Sequence, residues 1–146
     1  MDKEKTIIIG SDHAAVELKE KIKNYLFQKW YQIEDAGTDS DASVNYVDYG
    51  KKVAKAVSDG RFTRGILLCG SGLGMSMVAN RISNVRAALC SELFSAKMSR
   101  LHNDSNILVL GGRIIGDVLA YELVQTWLDT AFEGGRHLDR IQSIDG

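Results

Sequence analysis

Proline is absent from this 146-residue chain. Its turns therefore fall to glycine, present 14 times, and to Asn and Asp. Cysteine is scarce, with Cys69 and Cys90 alone and no CxxC pair. That argues against a disulfide framework and a thiolate zinc site, and for reduced thiols in a cytoplasmic setting. Net charge is low as well, −1 at neutral pH, and Lys and Arg are scattered rather than massed. The chain thus lacks the electrostatic footprint of a nucleic-acid binder, although a small anion needs only a few cations at one point. No stretch approaches the ~20 apolar residues of a membrane span. The opening MDKEKT has no signal-peptide layout. With no repeat or linker either, the expectation is one domain over residues 1–146, long enough to bury a proper core.

What is present is a set of short apolar runs, each closed by glycine or a polar break. Thr6–Gly10, a weaker Gln32–Ala36, Gly65–Cys69, Val85–Leu89 and Ile107–Leu110 read as strands. Between them lie helical patterns. The first has the stripe Leu18, Ile22, Tyr25 and Leu26, with lysines and Glu17 and Glu20 on its other side. A second carries Val47, Val53, Ala54 and Val57, and a third Met75, Val78, Ala79 and Ile82. Ser91 is placed to cap a fourth, with Phe94, Met98 and Leu101. A long helix follows with Ile115, Leu119, Leu123 and Trp127, and a short one from about Arg136. Strands alternating with helices predict parallel pairing and right-handed crossovers. The expected fold is a three-layer α/β/α Rossmann-like sandwich around a parallel sheet of about five strands.

In such a sheet ligands bind beyond the carboxyl ends of the strands. Asp12 and His13 follow the first strand, Cys69 ends the third and Arg113 follows the fifth, so these are expected to face one crevice. His102 sits in the polar break HNDSN just before the fifth strand, where its direction depends on packing. The stretch around Cys69 is the most informative, because Gly70, Gly72 and Gly74 alternate with single residues after the thiol. Backbone amides gathered at a helix start hold an anion and activate a cysteine.

Known glycine loops fit it poorly. A dinucleotide fingerprint needs GxGxxG, and the sixth position here is Met75, although Glu92 lies where a ribose-binding acid would sit. A Walker loop would need Gly-Lys-Ser/Thr, and a cysteine phosphatase loop an arginine at position 75. What remains is a cradle for a developing oxyanion beside a thiol, suited to moving a proton next to a carbonyl. Plainer readings stand beside this one. Cys69 is also compatible with a small core residue, His13 with a helix cap, and His102 with a surface turn. Arg136 and Arg140, four apart, share a helical face and suit either a phosphate clamp or plain solvation. Cys90 and Trp127 read as core.

Seven segments taken together narrow the choice. GSDHA at 10–14, NYVDYG at 45–50, CGSGLGMSMVANR at 69–81, RAALC at 86–90, SRLHNDSN at 99–106, GGRIIG at 111–116 and FEGGRHLDR at 132–140 run in order along nearly the whole chain. With them the chain resembles the ribose-5-phosphate isomerase type B family, which includes the galactose-6-phosphate isomerase subunits. The resemblance implies interconversion of an aldose phosphate and a ketose phosphate through a cis-enediolate, without metal or cofactor. Ribose 5-phosphate, in the non-oxidative pentose phosphate branch, is the first expected substrate. Galactose 6-phosphate or allose 6-phosphate is the alternative, and a non-catalytic nucleotide- or phosphate-binding module a more distant one.

By that resemblance Cys69 is the base shuttling the proton between C1 and C2, with Ser71 and the amides of Gly70, Gly72 and Gly74 beside it. His102 opens the furanose ring, Asp12 and Asn103 hold sugar hydroxyls or the ring oxygen, and Tyr46 lines the site. His13, Arg113, Arg136 and Arg140 bind the phosphate. Homodimers, or dimers of dimers, with sites shared between subunits are implied too. Two departures stand out: Val47 replaces the family's usual proline, and Met75 occupies the position where some relatives carry a glutamate base.

Overall fold

The short apolar runs do become five parallel strands. β1 (Thr6–Ser11), β2 (Gln32–Asp35), β3 (Arg64–Cys69), β4 (Ala87–Leu89) and β5 (Ile107–Gly111) pair in the order β2-β1-β3-β5-β4. The computed structural model describes residues 5–146. Residues 1–4, which open the MDKEKT stretch, lie outside the described residues. Between the strands run α1 (Val16–Gln28), entered by a single 3-10 turn at His13–Ala15, and α2 (Tyr46–Ser58). After them come α3 (Leu73–Ala79), α4 (Leu93–Leu101), α5 (Asp117–Asp129) and α6 (Arg136–Asp145). None of the described helices is long and apolar enough to cross a membrane.

The central strands are apolar at nearly every position because both of their faces are covered. Alternation assigns each residue to a layer. From β3, Ile66 and Leu68 pack with Leu18, Ile22 and Leu26 of α1, Ala96 of α4 and Leu123 and Trp127 of α5. Leu67 and Cys69 face the opposite side, against Val53 and Val57 of α2 and Met75 and Ala79 of α3. Each fully buried Leu or Ile contributes about 2 kcal/mol of burial free energy. The result is the α/β/α sandwich that the strand–helix alternation predicts.

Four local expectations are corrected. The third helix stops at Ala79 rather than reaching Ile82, because the Asn80 amide turns to β4: its Nδ2 donates to the Ala87 carbonyl and its Oδ1 accepts the Ala87 N–H. The fourth strand begins at Ala87 rather than Val85, since the Arg86 N–H is taken by Asn106 Oδ1 instead of a sheet neighbour. Glu92, not Ser91, caps α4, its carboxylate accepting the Ser95 N–H at 3.1 Å. Lys19 is not on the solvent side of α1; its side chain is fully buried. Its ammonium meets Asp35 at 2.7 Å and also donates to the Thr38 carbonyl. Burial pushes the Asp35 carboxyl up, but hydrogen bonds from Lys19, Lys23 and the Gly37 N–H outweigh it and hold it below the usual range.

Candidate active site

Strand order sets the first half of the site. β1 is followed by β2 on one side and flanked by β3 on the other, so the chain reverses direction across the sheet between β1 and β3. At that switch point the connections diverge and leave a crevice. The groups arriving there are fixed by main-chain hydrogen bonds. Asp12 N–H donates to the Leu68 carbonyl (3.2 Å), Gly112 N–H to that of Cys69 (2.8 Å) and Arg113 N–H to that of Gly70 (2.9 Å). Asp12, Cys69 and Arg113 therefore share one end of the sheet, as expected.

Cys69 is a free thiol, 5% exposed, at the last position of β3. Asp12 is nearly as buried, and its Oδ1 accepts the Ala14 N–H at 3.0 Å, which caps the 3-10 turn. Arg113 reaches back over the loop: a Cβ built on Gly70 would lie 3.6 Å from its Nη1. Gly72 takes φ +83°, which turns the chain from strand into α3, and a Cβ there would meet Leu89 at 2.5 Å. Ser71 Oγ accepts the Leu73 N–H at 3.2 Å and so closes the first turn of α3. Tyr46 lies flat on this turn; a Cβ on Gly74 would meet its ring at 2.6 Å, so only glycine admits the tyrosine. Tyr46 opens α2 behind an Asn45 cap whose Oδ1 accepts the Val47 N–H at 3.1 Å. Proline at position 47 has no such N–H to give.

His13 completes this end. Its Nδ1 accepts the Val44 N–H at 3.1 Å, so the neutral ring carries its proton on Nε2. The loop that supplies Val44 leaves the sheet at Thr38, where the buried Lys19 holds it down.

The remaining predicted residues are elsewhere. In the register of β3 with β5, Gly65 faces Ile107 and Cys69 faces Gly111. The polar turn leads into Ile107, so it sits beyond the amino ends of the strands, about 13 Å from Cys69 along the sheet. Within one chain His102 and Asn103 do not meet Cys69. Side chains anchor this turn. Arg86 Nε donates to the Asn103 and Asp104 carbonyls, and Arg86 also pairs with Asp145 of α6 at 2.6 Å. Buried Arg100 pairs with Asp104 at 2.7 Å and donates to the carbonyls of Ser105 and Thr130.

Arg136 and Arg140 lie exposed on α6 at the same end. Between them is a residue that sequence reasoning missed. His137 is buried, and its ring stacks on His102 with centroids 4.4 Å apart. Among the described residues its Nε2 has no hydrogen-bond partner. Burial first, and then the neighbouring His102, lower its pKa below the ordinary histidine value, so it stays neutral more readily than a free imidazole. The GGRH motif placed attention on the arginines; a histidine at i, i+1 from an exposed arginine carries no burial signal of its own.

Comparisons with known proteins show which family the fold and sequence match. The family described as Ribose/Galactose Isomerase matches residues 7–144. Ribose-5-phosphate isomerase B of Escherichia coli K12 is 42% identical over 140 residues, covering 96% of this chain and 94% of that protein. D-erythrulose-4-phosphate isomerase of Pectobacterium atrosepticum is 41% identical, covering 95% and 92%. The crystal structure of a ribose 5-phosphate isomerase from Thermotoga maritima superposes with a TM-score of 0.94 at 55% identity, covering 96% of this chain and 97% of that one.

Proposed function

The chain belongs to the ribose/galactose isomerase family and is a sugar-phosphate isomerase; on that premise we propose that it interconverts D-ribose 5-phosphate and D-ribulose 5-phosphate, with Cys69 as the base. The observation that carries this reading is the gathering of a buried thiol, a carboxylate and a guanidinium at the switch point of the sheet. In the proposed reaction the Cys69 thiolate takes the proton from C2 of the open-chain aldose. The electrons move to the carbonyl oxygen O1 and give a cis-enediolate; the same proton then returns at C1 while the O2 proton passes to O1, leaving the C2 carbonyl of the ketose. The amides of Gly70, Gly72 and Gly74 face the developing oxyanion, where each donor of this kind contributes about 3 kcal/mol to barrier lowering. Ser71 stands beside them, and Tyr46 walls the loop. No metal or cofactor is required in this scheme.

The far half of the substrate needs what the amino end of the sheet carries. His102 is assigned to ring opening, Asn103 and Asp12 to the sugar oxygens, and Arg136 and Arg140, with His13 and Arg113, to the phosphate. One chain holds these groups at opposite ends. A two-fold homodimer, or a dimer of such dimers, that sets the amino end of one subunit against the carboxyl end of its partner creates two equivalent complete sites. A cytoplasmic role in the non-oxidative pentose phosphate branch follows from this substrate.

Family relatives named for other sugars make the substrate the open point of the reading. The deciding experiment is an assay of the purified, metal-free protein over four-, five- and six-carbon aldose phosphates. Ribose 5-phosphate is expected to give the highest kcat/KM, since discrimination is a ratio of those values. A higher value for a four- or six-carbon phosphate would replace the substrate while keeping the chemistry. Turnover of none, with stabilisation by nucleotide alone, would point to a binding module instead.

A further inference from the structure

We propose that His102, Glu133 and His137 form a binding site for a divalent transition-metal ion of the zinc class, and that its occupancy takes His102 out of the reaction. The second half rests on the role assigned to His102 above; the first does not. Nothing in the isomerase scheme uses Glu133. Yet its N–H donates to the Leu101 carbonyl at 3.0 Å, which holds the stretch before α6 against the end of α4. Gly134 and Gly135, at φ +74° and +61°, then turn the chain so that α6 starts beside it.

Three ligand atoms converge there. Glu133 Oε2 lies 4.0 Å from His102 Nε2, and Oε1 lies 3.9 Å from His137 Nε2. All three ligand atoms fall within 4.8 Å of one another. Ligands of a tetrahedral zinc ion, bonded at about 2.1 Å, sit about 3.4 Å apart. Closure by roughly an ångström is needed, together with rotation of the His102 ring out of its stack on His137 so that both Nε2 lone pairs meet, and the half-exposed side chains of His102 and Glu133 have the freedom to supply both. The independent observation is His137 itself. It is 5% exposed, and its Nε2 faces the Glu133 carboxylate across a gap too long for a hydrogen bond, with no other partner among the described residues. A metal ion at the centre of the cluster gives this orphaned nitrogen the partner it lacks.

The donor set selects the ion class. Two imidazoles and one carboxylate suit Zn²⁺, Co²⁺ or Ni²⁺, whereas Ca²⁺ and Mg²⁺ prefer oxygen alone. The positive charges of Arg136 and Arg140 nearby keep the affinity below that of a closed structural zinc site. With a metal on Nε2, His102 has no lone pair there for proton transfer, so the ion acts as an inhibitor of a reaction that itself uses none.

The test has a binding arm and an activity arm, both on the full chain stripped of metal. In the binding arm the Cys69→Ala background removes thiol ligation, and Co²⁺ is titrated while its visible absorption is followed. One Co²⁺ per chain is expected, displaced by Zn²⁺, with the band lost in Glu133→Gln and in His137→Ala. A Co²⁺ titration without a saturable band, or Glu133→Gln binding as tightly as its parent, would overturn the site. In the activity arm, on otherwise native protein, saturating Zn²⁺ is expected to lower turnover at least 10-fold and a chelator to restore it. Glu133→Gln keeps the metal-free rate and loses that sensitivity. Undiminished turnover with Co²⁺ bound would overturn the blocking role, and with it the assignment of His102, while leaving the metal site in place.

Discussion

The two ends of the sheet are built in different ways. At the carboxyl end, Asp12, Cys69, Gly70 and Arg113 are located by bonds between backbone atoms. At the amino end, the turn carrying His102 and Asn103 has backbone bonds of its own, such as Asp104 N–H to the Arg100 carbonyl and Asn106 N–H to the Arg86 carbonyl, and is fastened further by the side chains of Arg86 and Arg100. The first end is specified by topology, and any sequence that makes these strands in this order creates the crevice. The second depends in addition on a few named side chains. The chemistry at the carboxyl end is therefore expected to be lost only when the reacting group itself is removed, whereas the amino end can be undone at a distance.

The largest effect tests the first part of that contrast. Cys69→Ala is expected to lower kcat on the order of 10³-fold or more, as removal of a general base does, with an unchanged melting curve. Normal turnover would remove Cys69 from its assigned role. Next comes the amino end. Arg100→Ala leaves Asp104 with Arg86 alone, at 3.7 Å, and strips the buried Ser105 carbonyl and the part-buried Thr130 carbonyl of that donor, and a loss of about 2 kcal/mol is expected in denaturant unfolding. A loss under about 0.5 kcal/mol would show that the turn does not depend on that arginine.

On the role proposed for it, Arg140→Ala is expected to act on substrate capture, raising KM about 10-fold while kcat changes little, since a phosphate contact distant from the reacting carbons would bind substrate and transition state alike. A fall in kcat with KM unchanged would place Arg140 at the chemistry. The smallest effect is a pH dependence. The folded state holds the His137 pKa below its unfolded value, so the unfolded chain binds the extra proton first. Stability is then complete above the unfolded histidine pKa of about 6.5 and declines as pH falls below it. His137→Gln is expected to flatten that limb of the stability profile, and an unchanged slope would show that another group sets it.

How much of this was legible in the sequence follows the same division. β-branched and leucine-rich runs bounded by glycine identified the buried strands, because burial on both faces leaves little else to choose. The strand-end rule then collected Asp12, Cys69 and Arg113 without knowledge of any contact. What escaped was set by side chains reaching across elements. Lys19 looked like a solvent lysine, since its partners Asp35 and Thr38 lie 16 and 19 residues away. Asn80 looked like a helix continuation until its amide paired with β4. His137 gave no sign of burial because α6 docks through contacts no local period encodes. The polar HNDSN break and the four-residue spacing singled out His102, Arg136 and Arg140, the motif resemblance supplied their roles, and the strand register showed that one chain carries them at the opposite end from Cys69.

Complementation between two inactive chains measures whether the two separated ends of the sheet meet across subunits. Cys69→Ala and His102→Asn chains are each inactive alone, and are unfolded together and refolded as an equal mixture. If each site takes Cys69 from one subunit and His102 from its partner, half the dimers are mixed and each holds one intact site. Turnover is then expected to rise to about a quarter of the native value. A mixture that forms mixed dimers yet stays as inactive as its parents would contradict a site shared between the two ends of the sheet.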